Sequence, residues 1–231
     1  MPKNVKITTP PNLLDLIAPH SCKNCGQIGS VLCNRCKKYI LKDHQNVCPK
    51  CKKERPSLDS SVCPDCPDLP PIYTVAPRDS LLGSLIHDYK YHSIRALARP
   101  LAELLATVLP ANLPKNSILV PLPTASHHIR SRGLDHTLLI SKQLSKLRRI
   151  PTQKLLLRAK NTVQVGSNRS ARLSQASSAY QLNPKIKINP DTTYILLDDI
   201  WTTGASVTAA KTLLESAGAK NIIIALLAYS S

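Results

Sequence analysis

The chain is 231 residues long, which is enough for one α/β domain of ordinary size and a small additional module. It carries 31 Lys and Arg against 14 Asp and Glu, and the net charge of +17 suits a protein whose partners are polyanions. No apolar run is long enough to span a bilayer, and the first residues lack the sustained apolar stretch of a secretion signal. We therefore expect a cytoplasmic protein without membrane insertion.

The cysteines are the first informative feature along the chain, and all eight fall between residues 22 and 66. They form four C-x2-C pairs, and two such pairs complete a tetrahedral four-thiolate zinc site, so residues 20–68 are predicted to form a double zinc ribbon with two structural zinc ions. Spacing leaves open whether successive or alternating pairs share a metal. A disulfide framework is the rival, disfavoured in a chain without a secretion signal. The predicted metal ligands are Cys22, Cys25, Cys33, Cys36, Cys48, Cys51, Cys63 and Cys66.

The proline-rich segment Pro67–Pro71 marks a predicted domain boundary, because proline cannot extend a helix or a central strand. Residues 1–19 are expected to form an N-terminal segment with a short helix. Through residues 72–231, strand patterns alternate with helix patterns, which predicts an α/β domain with a parallel sheet and helices on both faces. The predicted strands are Ile72–Ala76, Ser117–Pro121, Lys154–Leu157, a strand ending at Asp199, and Ile222–Leu227; the predicted helices are Ser80–Tyr91, Ile94–Leu109, Thr137–Leu147 and Ala205–Ala217.

The segment Tyr194–Ser206 has the outline of a sugar-phosphate site. Its apolar run predicts a buried strand that presents Asp198 and Asp199 at its carboxyl end, where open α/β sheets bind ligands. Two carboxylates can accept hydrogen bonds from vicinal ribose hydroxyls, and the hydroxyl-rich turn that follows opens a helix whose N-terminus favours phosphate. An aspartate that merely caps the helix is the simpler alternative. A Walker-type nucleotide hydrolase is excluded because none of the seven glycines is followed by Lys.

The stretch Leu196-Leu-Asp-Asp-Ile-Trp-Thr-Thr-Gly-Ala-Ser206 resembles the phosphoribosyl-pyrophosphate (PRPP) motif of type I phosphoribosyltransferases. From Leu13 almost to the end, the chain resembles the ComF family of competence-associated, phosphoribosyltransferase-like proteins. The resemblance implies a type I phosphoribosyltransferase-like sheet behind the zinc ribbons. The further segments that carry it are Leu13-Leu-Asp-Leu-Ile-Ala-Pro19, Asp88-Tyr-Lys-Tyr91, Ala98-Arg-Pro-Leu101, Leu119-Val-Pro-Leu-Pro123, Arg130-Ser-Arg-Gly-Leu134 and residues 164–180.

The resemblance also implies a ligand site. Arg130 and Arg132 fall in the position of a pyrophosphate-binding loop, while Gln164 and Arg172 match a loop that closes over the site. Surface arginines and an ordinary flexible loop are the alternatives. Trp201 either stacks on a bound ring or packs against the adjoining hood of the domain. The implied catalytic residues are Asp198, Asp199 and Arg172, and PRPP with magnesium would contact Asp198, Asp199, Thr202, Thr203, Gly204, Ala205, Ser206, Arg130, Arg132 and Gln164.

Two functions follow as expectations. ComF proteins are associated with natural transformation, so the resemblance implies handling of internalised single-stranded DNA with competence-machinery proteins as possible partners. The basic stretch from His127 to Arg172, with eleven Lys or Arg and the single acid Asp135, is a plausible footprint for a phosphate backbone, with Arg130, Arg148 and Arg149 as candidate contacts. The alternative is an active magnesium-dependent phosphoribosyltransferase in nucleotide metabolism or salvage.

Overall fold

A central parallel sheet of four strands organises the chain, in the order β1-β6-β5-β2. The computed structural model describes residues 20–42, 46–55, 61–124, 129–130, 133–159 and 179–230. The predicted N-terminal helix in residues 1–19 lies outside the described residues. The strands are β1 (Ile72–Pro77), β2 (Ser117–Pro121), β3 (Leu156–Arg158), β4 (Tyr180–Leu182), β5 (Thr193–Trp201) and β6 (Asn221–Tyr229). The helices are α1 (Asn34–Lys42), α2 (Leu81–Tyr91), α3 (Ala98–Val108), α4 (His136–Arg148) and α5 (Ala205–Ser216), with a 3-10 turn at Arg95–Leu97.

Successive residues of β5 face two separate apolar cores, which explains why this strand reads as a continuous apolar run. Ile195 and Leu197 pack with residues of α2, α3 and α4, whereas Tyr194 and Leu196 pack with residues of α5. A strand that is covered on both sides needs apolar residues at every position. The predicted α/β architecture with a parallel sheet between helices is confirmed.

Two side-chain caps fix where the helices begin. Ser80 Oγ accepts a hydrogen bond from the Leu82 N–H at the start of α2, and Asp135 accepts one from the Leu138 N–H at the start of α4. Each cap satisfies a backbone donor that has no partner inside the helix. The beginnings of these helices are therefore encoded locally.

The predicted strand Lys154–Leu157 forms as β3, Leu156–Arg158, but it does not join the parallel sheet. The chain forms an isolated parallel bridge between Thr152 and Leu119 at the edge of the parallel sheet, and β3 then pairs antiparallel with β4 in a separate two-stranded sheet. The sequence did not predict this pairing because the apolar pattern specifies a strand but not its partner, and β4 lies beyond a long intervening segment.

The cysteine-rich segment packs directly on the sheet. Cys22, Cys33 and Cys36 belong to the core on the α2–α4 face, while Cys48 and Cys63 belong to the core on the α5 face. The apolar packing therefore runs across the predicted boundary at residues 67–71.

Polar contacts tie the same segment to the domain. Lys37 of α1 pairs with Glu103 of α3 at 2.5 Å, and Arg55 donates a hydrogen bond of 2.8 Å to the carbonyl of Ile72 in β1. The Ile72 N–H donates to the carbonyl of Ser61. Since β1 pairs with one neighbouring strand only, these contacts cover part of an edge that would otherwise be open.

Candidate functional site

The candidate site forms where β5 and β6 extend past the end of β2. Pairing between β2 and β5 stops at Pro121 and Leu197, whereas β5 continues beside β6 as far as Trp201. Asp198 and Asp199 therefore lie near the carboxyl end of β5, as the sequence predicted, and beyond the end of its neighbour β2; β5 runs on to Trp201, past the predicted end at Asp199. Their side chains border a cleft of about 440 Å³.

Residues from six helices and strands, and from the loops that follow β1, β2 and β5, line this cleft. Thr202, in the turn before α5, and Ser206, in the first turn of α5, contribute hydroxyls on one side. Three cations come from elsewhere: Arg78 follows β1, Lys90 lies in the last turn of α2, and Arg158 ends β3. The cleft thus combines two carboxylates, hydroxyls and cationic side chains, which is the chemistry needed to bind a phosphorylated sugar.

The two aspartates have different surroundings. Asp199 pairs with Lys90 at 2.6 Å, with both side chains 17% exposed. Asp198 accepts a hydrogen bond of 2.9 Å from the Asp199 N–H. Burial and, next, the charge of Asp199 raise the pKa of Asp198 to about 7, against the opposing effects of that hydrogen bond, Lys90 and Arg158. Asp198 therefore changes its protonation state near neutral pH.

Tyr180 of β4 closes one wall of the cleft beside Arg158. The guanidinium of Arg158 lies 5.3 Å from the centre of the Tyr180 ring. Burial raises the pKa of the Tyr180 hydroxyl, against the opposing effects of Ser206 and Arg158. The two-stranded β3–β4 sheet thus brings a cation and a hydroxyl to the side of the α5 turn.

Gly204 and Trp201 shape the turn between β5 and α5. Gly204 has a φ of 76°, and a Cβ built on it would lie 2.2 Å from the Trp201 indole. Trp201 is 3% exposed and packs in the core on the α5 face. Trp201 is therefore a core residue, and it is not among the described residues that line the cleft. Glycine is required at position 204 because the Trp201 indole lies against its backbone.

The structure brings only part of the predicted ligand set to the cleft. Thr202 and Ser206 line it with the aspartates, while Thr203 and Ala205 are exposed beside them. Arg130 is exposed and is not among the described lining residues. The predicted contacts Arg132, Gln164 and Arg172 lie outside the described residues.

Sequence reasoning did not identify Arg78, Lys90 and Arg158 as site residues. Lys90 stands in the segment Asp88–Tyr91, which was noted only for its resemblance, and the other two had no local signal. Only the packing of α2 and β3 around the end of β5 brings these cations together.

The cysteines form two separate four-thiol clusters made of successive pairs. Within each cluster the Sγ atoms lie within 4.8 Å of one another, so each could hold a zinc ion. The question of pairing that the spacing left open is answered, since the alternating arrangement does not occur. The first cluster contains Cys22, Cys25, Cys33 and Cys36; the second contains Cys48, Cys51, Cys63 and Cys66.

The first pair of each cluster lies in the same backbone turn. The Gly26 N–H donates to the Cys22 carbonyl, and the Lys52 N–H donates to the Cys48 carbonyl, both at 2.9 Å. Gly26 and Lys52 both have a positive φ, of 72° and 65°. The segment is therefore a structural repeat, with a strained lysine where the first copy has glycine.

Hydrogen-bond donors favour the thiolate form of Cys22 and Cys51, whereas the pKa values of Cys36, Cys63 and Cys66 are raised. Burial raises the pKa of Cys22, but N–H groups of Cys33, Cys25 and Asn24 outweigh it and bring the pKa to about 6. The N–H of Lys53 has the largest effect on Cys51 and lowers its pKa to about 7. Thiolates are the form that binds zinc, so the donor set fits that metal.

No family model and no curated protein matches this chain. In the part of the chain that the structure describes, no helix has both the length and the apolar character needed to cross a membrane.

Proposed function

We propose that this chain is a ComF-type protein whose phosphoribosyltransferase-like domain binds PRPP with magnesium in the cleft and takes part in handling internalised single-stranded DNA during natural transformation. The observation that carries the PRPP proposal is the meeting of Asp198 and Asp199 with the Thr202 and Ser206 hydroxyls in one cleft.

Each part of the cleft has a role in this proposal. Asp198 and Asp199 accept hydrogen bonds from the ribose hydroxyls, and the turn from Thr202 to Ser206 at the N-terminus of α5 binds the 5′-phosphate. The cationic side chains of the cleft neutralise the pyrophosphate. Magnesium bound with PRPP would supply further neutralisation of that group.

The alternative function is transfer of the phosphoribosyl group itself. An acceptor nucleophile would form a bond to ribose C1 while the bond from C1 to the pyrophosphate oxygen breaks, and pyrophosphate would leave with the bonding electron pair. Asp198, with a pKa of about 7, could hold a proton from the acceptor at neutral pH. Release of pyrophosphate in the presence of candidate acceptors would distinguish this function from binding alone.

Calorimetric titration with PRPP and magnesium tests the binding proposal. We expect saturable heat from the wild-type protein and none from the Asp198→Ala/Asp199→Ala variant. Glu215→Ala, which removes an exposed carboxylate from α5, is the control and should bind like the wild type. Absence of binding by a folded wild-type protein would refute the proposal.

A basic groove outside the cleft supports the DNA part of the proposal. It has a volume of about 560 Å³ and lies between the starts of α3 and α4, where Arg95, Arg99 and Lys142 line it together with apolar residues such as Leu138 and with one acid, Asp135. Cations beside apolar side chains suit a single strand, which offers phosphates and base faces together.

Fluorescence anisotropy with a labelled single-stranded oligonucleotide tests this surface. We expect Arg95→Glu/Lys142→Glu to weaken binding and to reduce its dependence on salt, because fewer counterions are released. Lys211→Glu, a charge reversal on α5 outside the groove, should have a smaller effect. Binding that is absent or insensitive to salt in the wild type would contradict the DNA proposal.

A further inference from the structure

Among the three cations of the cleft, Lys90 forms an ion pair with one of the two site carboxylates. Its Nζ atom lies 2.6 Å from Asp199 Oδ2, so one of the two carboxylates expected to meet ribose already has a cationic partner. Both side chains are 17% exposed and line the cleft, and the pair is therefore accessible to a ligand.

Contacts at the C-terminal end of α2 fix the position of Lys90. The neighbouring Tyr89 is 1% exposed, and its hydroxyl donates a hydrogen bond of 2.9 Å to the carbonyl of His136 in α4. The His92 N–H donates to the Asp88 carbonyl and ends the helix. Packing on one side of α2 thus leaves Lys90 directed to the β5 end on the other.

The charges of the cleft favour a polyanion over a neutral sugar. Arg78, Lys90 and Arg158 contribute three positive charges, whereas Asp198 and Asp199 contribute at most two negative ones. A diphosphate group carries more negative charge than one carboxylate, and a lysine ammonium on its flexible stem can exchange one partner for the other. The diphosphate of a bound ligand therefore competes with Asp199 for the ammonium group of Lys90.

We propose that Lys90 is a diphosphate-binding residue that pairs with Asp199 in the empty cleft and with the pyrophosphate of PRPP in the occupied one. This inference rests on the proposed function. Moving the ammonium to the diphosphate frees both Asp199 oxygens for the ribose hydroxyls, so one side chain couples recognition of the two ends of the ligand. Lys90 accordingly determines selectivity for PRPP over ribose 5-phosphate.

The experiment compares three ligands by calorimetry in the presence of magnesium: PRPP, inorganic pyrophosphate and ribose 5-phosphate. Lys90→Met keeps most of the side-chain volume but removes the charge. We expect this variant to lose roughly 10- to 100-fold in affinity for PRPP and pyrophosphate, the range of a charge-assisted hydrogen bond. Its affinity for ribose 5-phosphate should stay unchanged or increase. Lys90→Arg, which keeps the charge, should retain part of the selectivity.

Lys37→Met is the matched control, because Lys37 pairs with Glu103 at 2.5 Å and at similar exposure, 20% and 19%, outside the cleft. It should bind all three ligands like the wild type. Equal losses for PRPP and ribose 5-phosphate in Lys90→Met would overturn the inference, since they would reduce Lys90 to a support for Asp199. Unchanged affinities in that variant would overturn it while leaving PRPP binding intact. A wild type that binds none of the three ligands would refute the proposed function as well.

Discussion

Asp198 and Asp199 are adjacent in β5 but meet different physical conditions. Asp199 has Lys90 as an ionic partner, whereas Asp198 is partly buried beside a like charge, with weaker opposing contributions from the Asp199 N–H, Lys90 and Arg158. A raised pKa in a cleft is typical of functional carboxyl groups, because burial there is maintained at a cost in stability. The sequence predicted the pair of carboxylates but not this difference between them.

Stability should therefore depend on pH through Asp198. Its folded pKa of about 7 lies above the usual value of 3.8, so the native state keeps a proton that the unfolded chain releases, and this contribution to stability is lost as pH rises through 7. Relative to the wild type, Asp198→Asn should gain about 1 kcal/mol in the free energy of unfolding between pH 6 and pH 8. Urea unfolding of both proteins checks this. A difference that does not vary with pH would mean that Asp198 is ionised throughout.

Gly204 should tolerate no side chain. Gly204→Ala would combine a positive φ with a Cβ inside the Trp201 indole, so we expect a loss of about 2–4 kcal/mol in the free energy of unfolding. Gly218→Ala has a φ of 101° but no atom within 4 Å of the added Cβ, and should cost only about 1–2 kcal/mol. Urea unfolding measures both, and equal losses would show that Trp201 moves aside.

At the scale of elements, the corner between α3 and α4 shows that cations close together in the sequence need not lie on the same surface. The Arg148 guanidinium donates hydrogen bonds to carbonyls at the end of α3, including those of Ala106 at 2.8 Å and Leu109 at 3.3 Å. The interpretation of Arg148 as a DNA contact is therefore not supported, because its donors are used inside the fold. Arg149, next to it, is exposed and ends α4 with a positive φ of 55°.

Arg148→Ala should destabilise the protein by about 1–3 kcal/mol, because several carbonyls at the end of α3 lose a charged donor. Lys146→Ala, an exposed residue in the last turn of α4, should stay within about 0.5 kcal/mol of the wild type. Thermal unfolding followed by circular dichroism checks both variants. If the two substitutions have the same effect, the contacts of Arg148 do not stabilise the corner.

For the whole molecule, the decisive feature is that the two cysteine clusters join opposite faces of the same sheet. The first cluster shares the core of α2, α3 and α4, and the second shares the core that contains Trp201 and α5. A metal-dependent segment that is packed in this way couples its own folding to that of the sheet. The sheet and the cysteine-rich segment should then unfold together.

Removal of zinc should lower the melting temperature of the α/β domain by roughly 10 °C, because a loss of several kcal/mol is expected when structural sites empty. Trp201 is the single tryptophan and reports on the sheet by its fluorescence. Chelation, Cys36→Ser and Cys66→Ser should each shift its transition, and added zinc should reverse the effect of the chelator. If the chelator and both substitutions left the Trp201 fluorescence transition unchanged, the domain would be stable without the cysteine-rich segment.

Much of the fold was accessible from local patterns. The buried run of β5, the cap Asp135 and the C-x2-C pairs each contain their own signal, because strand burial, helix capping and thiolate pairing act over a few residues. The partner of β3 could not be predicted in this way, since β4 lies far along the chain and pairing energy depends on a neighbour that the local sequence does not name.

The sequence by itself determined the α/β class, the two carboxylates, the hydroxyl-rich turn and the metal-binding character of the cysteines. Only the tertiary structure decided that successive pairs share a cluster, that the clusters lie on both faces of the sheet, and that Lys90 and Arg158 meet Asp198 and Asp199 in one cleft. The physical reason is the distance along the chain over which each kind of interaction acts. Local hydrogen bonding and burial pattern act between near neighbours in the chain, whereas the charge of a binding site is the sum of side chains that only packing brings together.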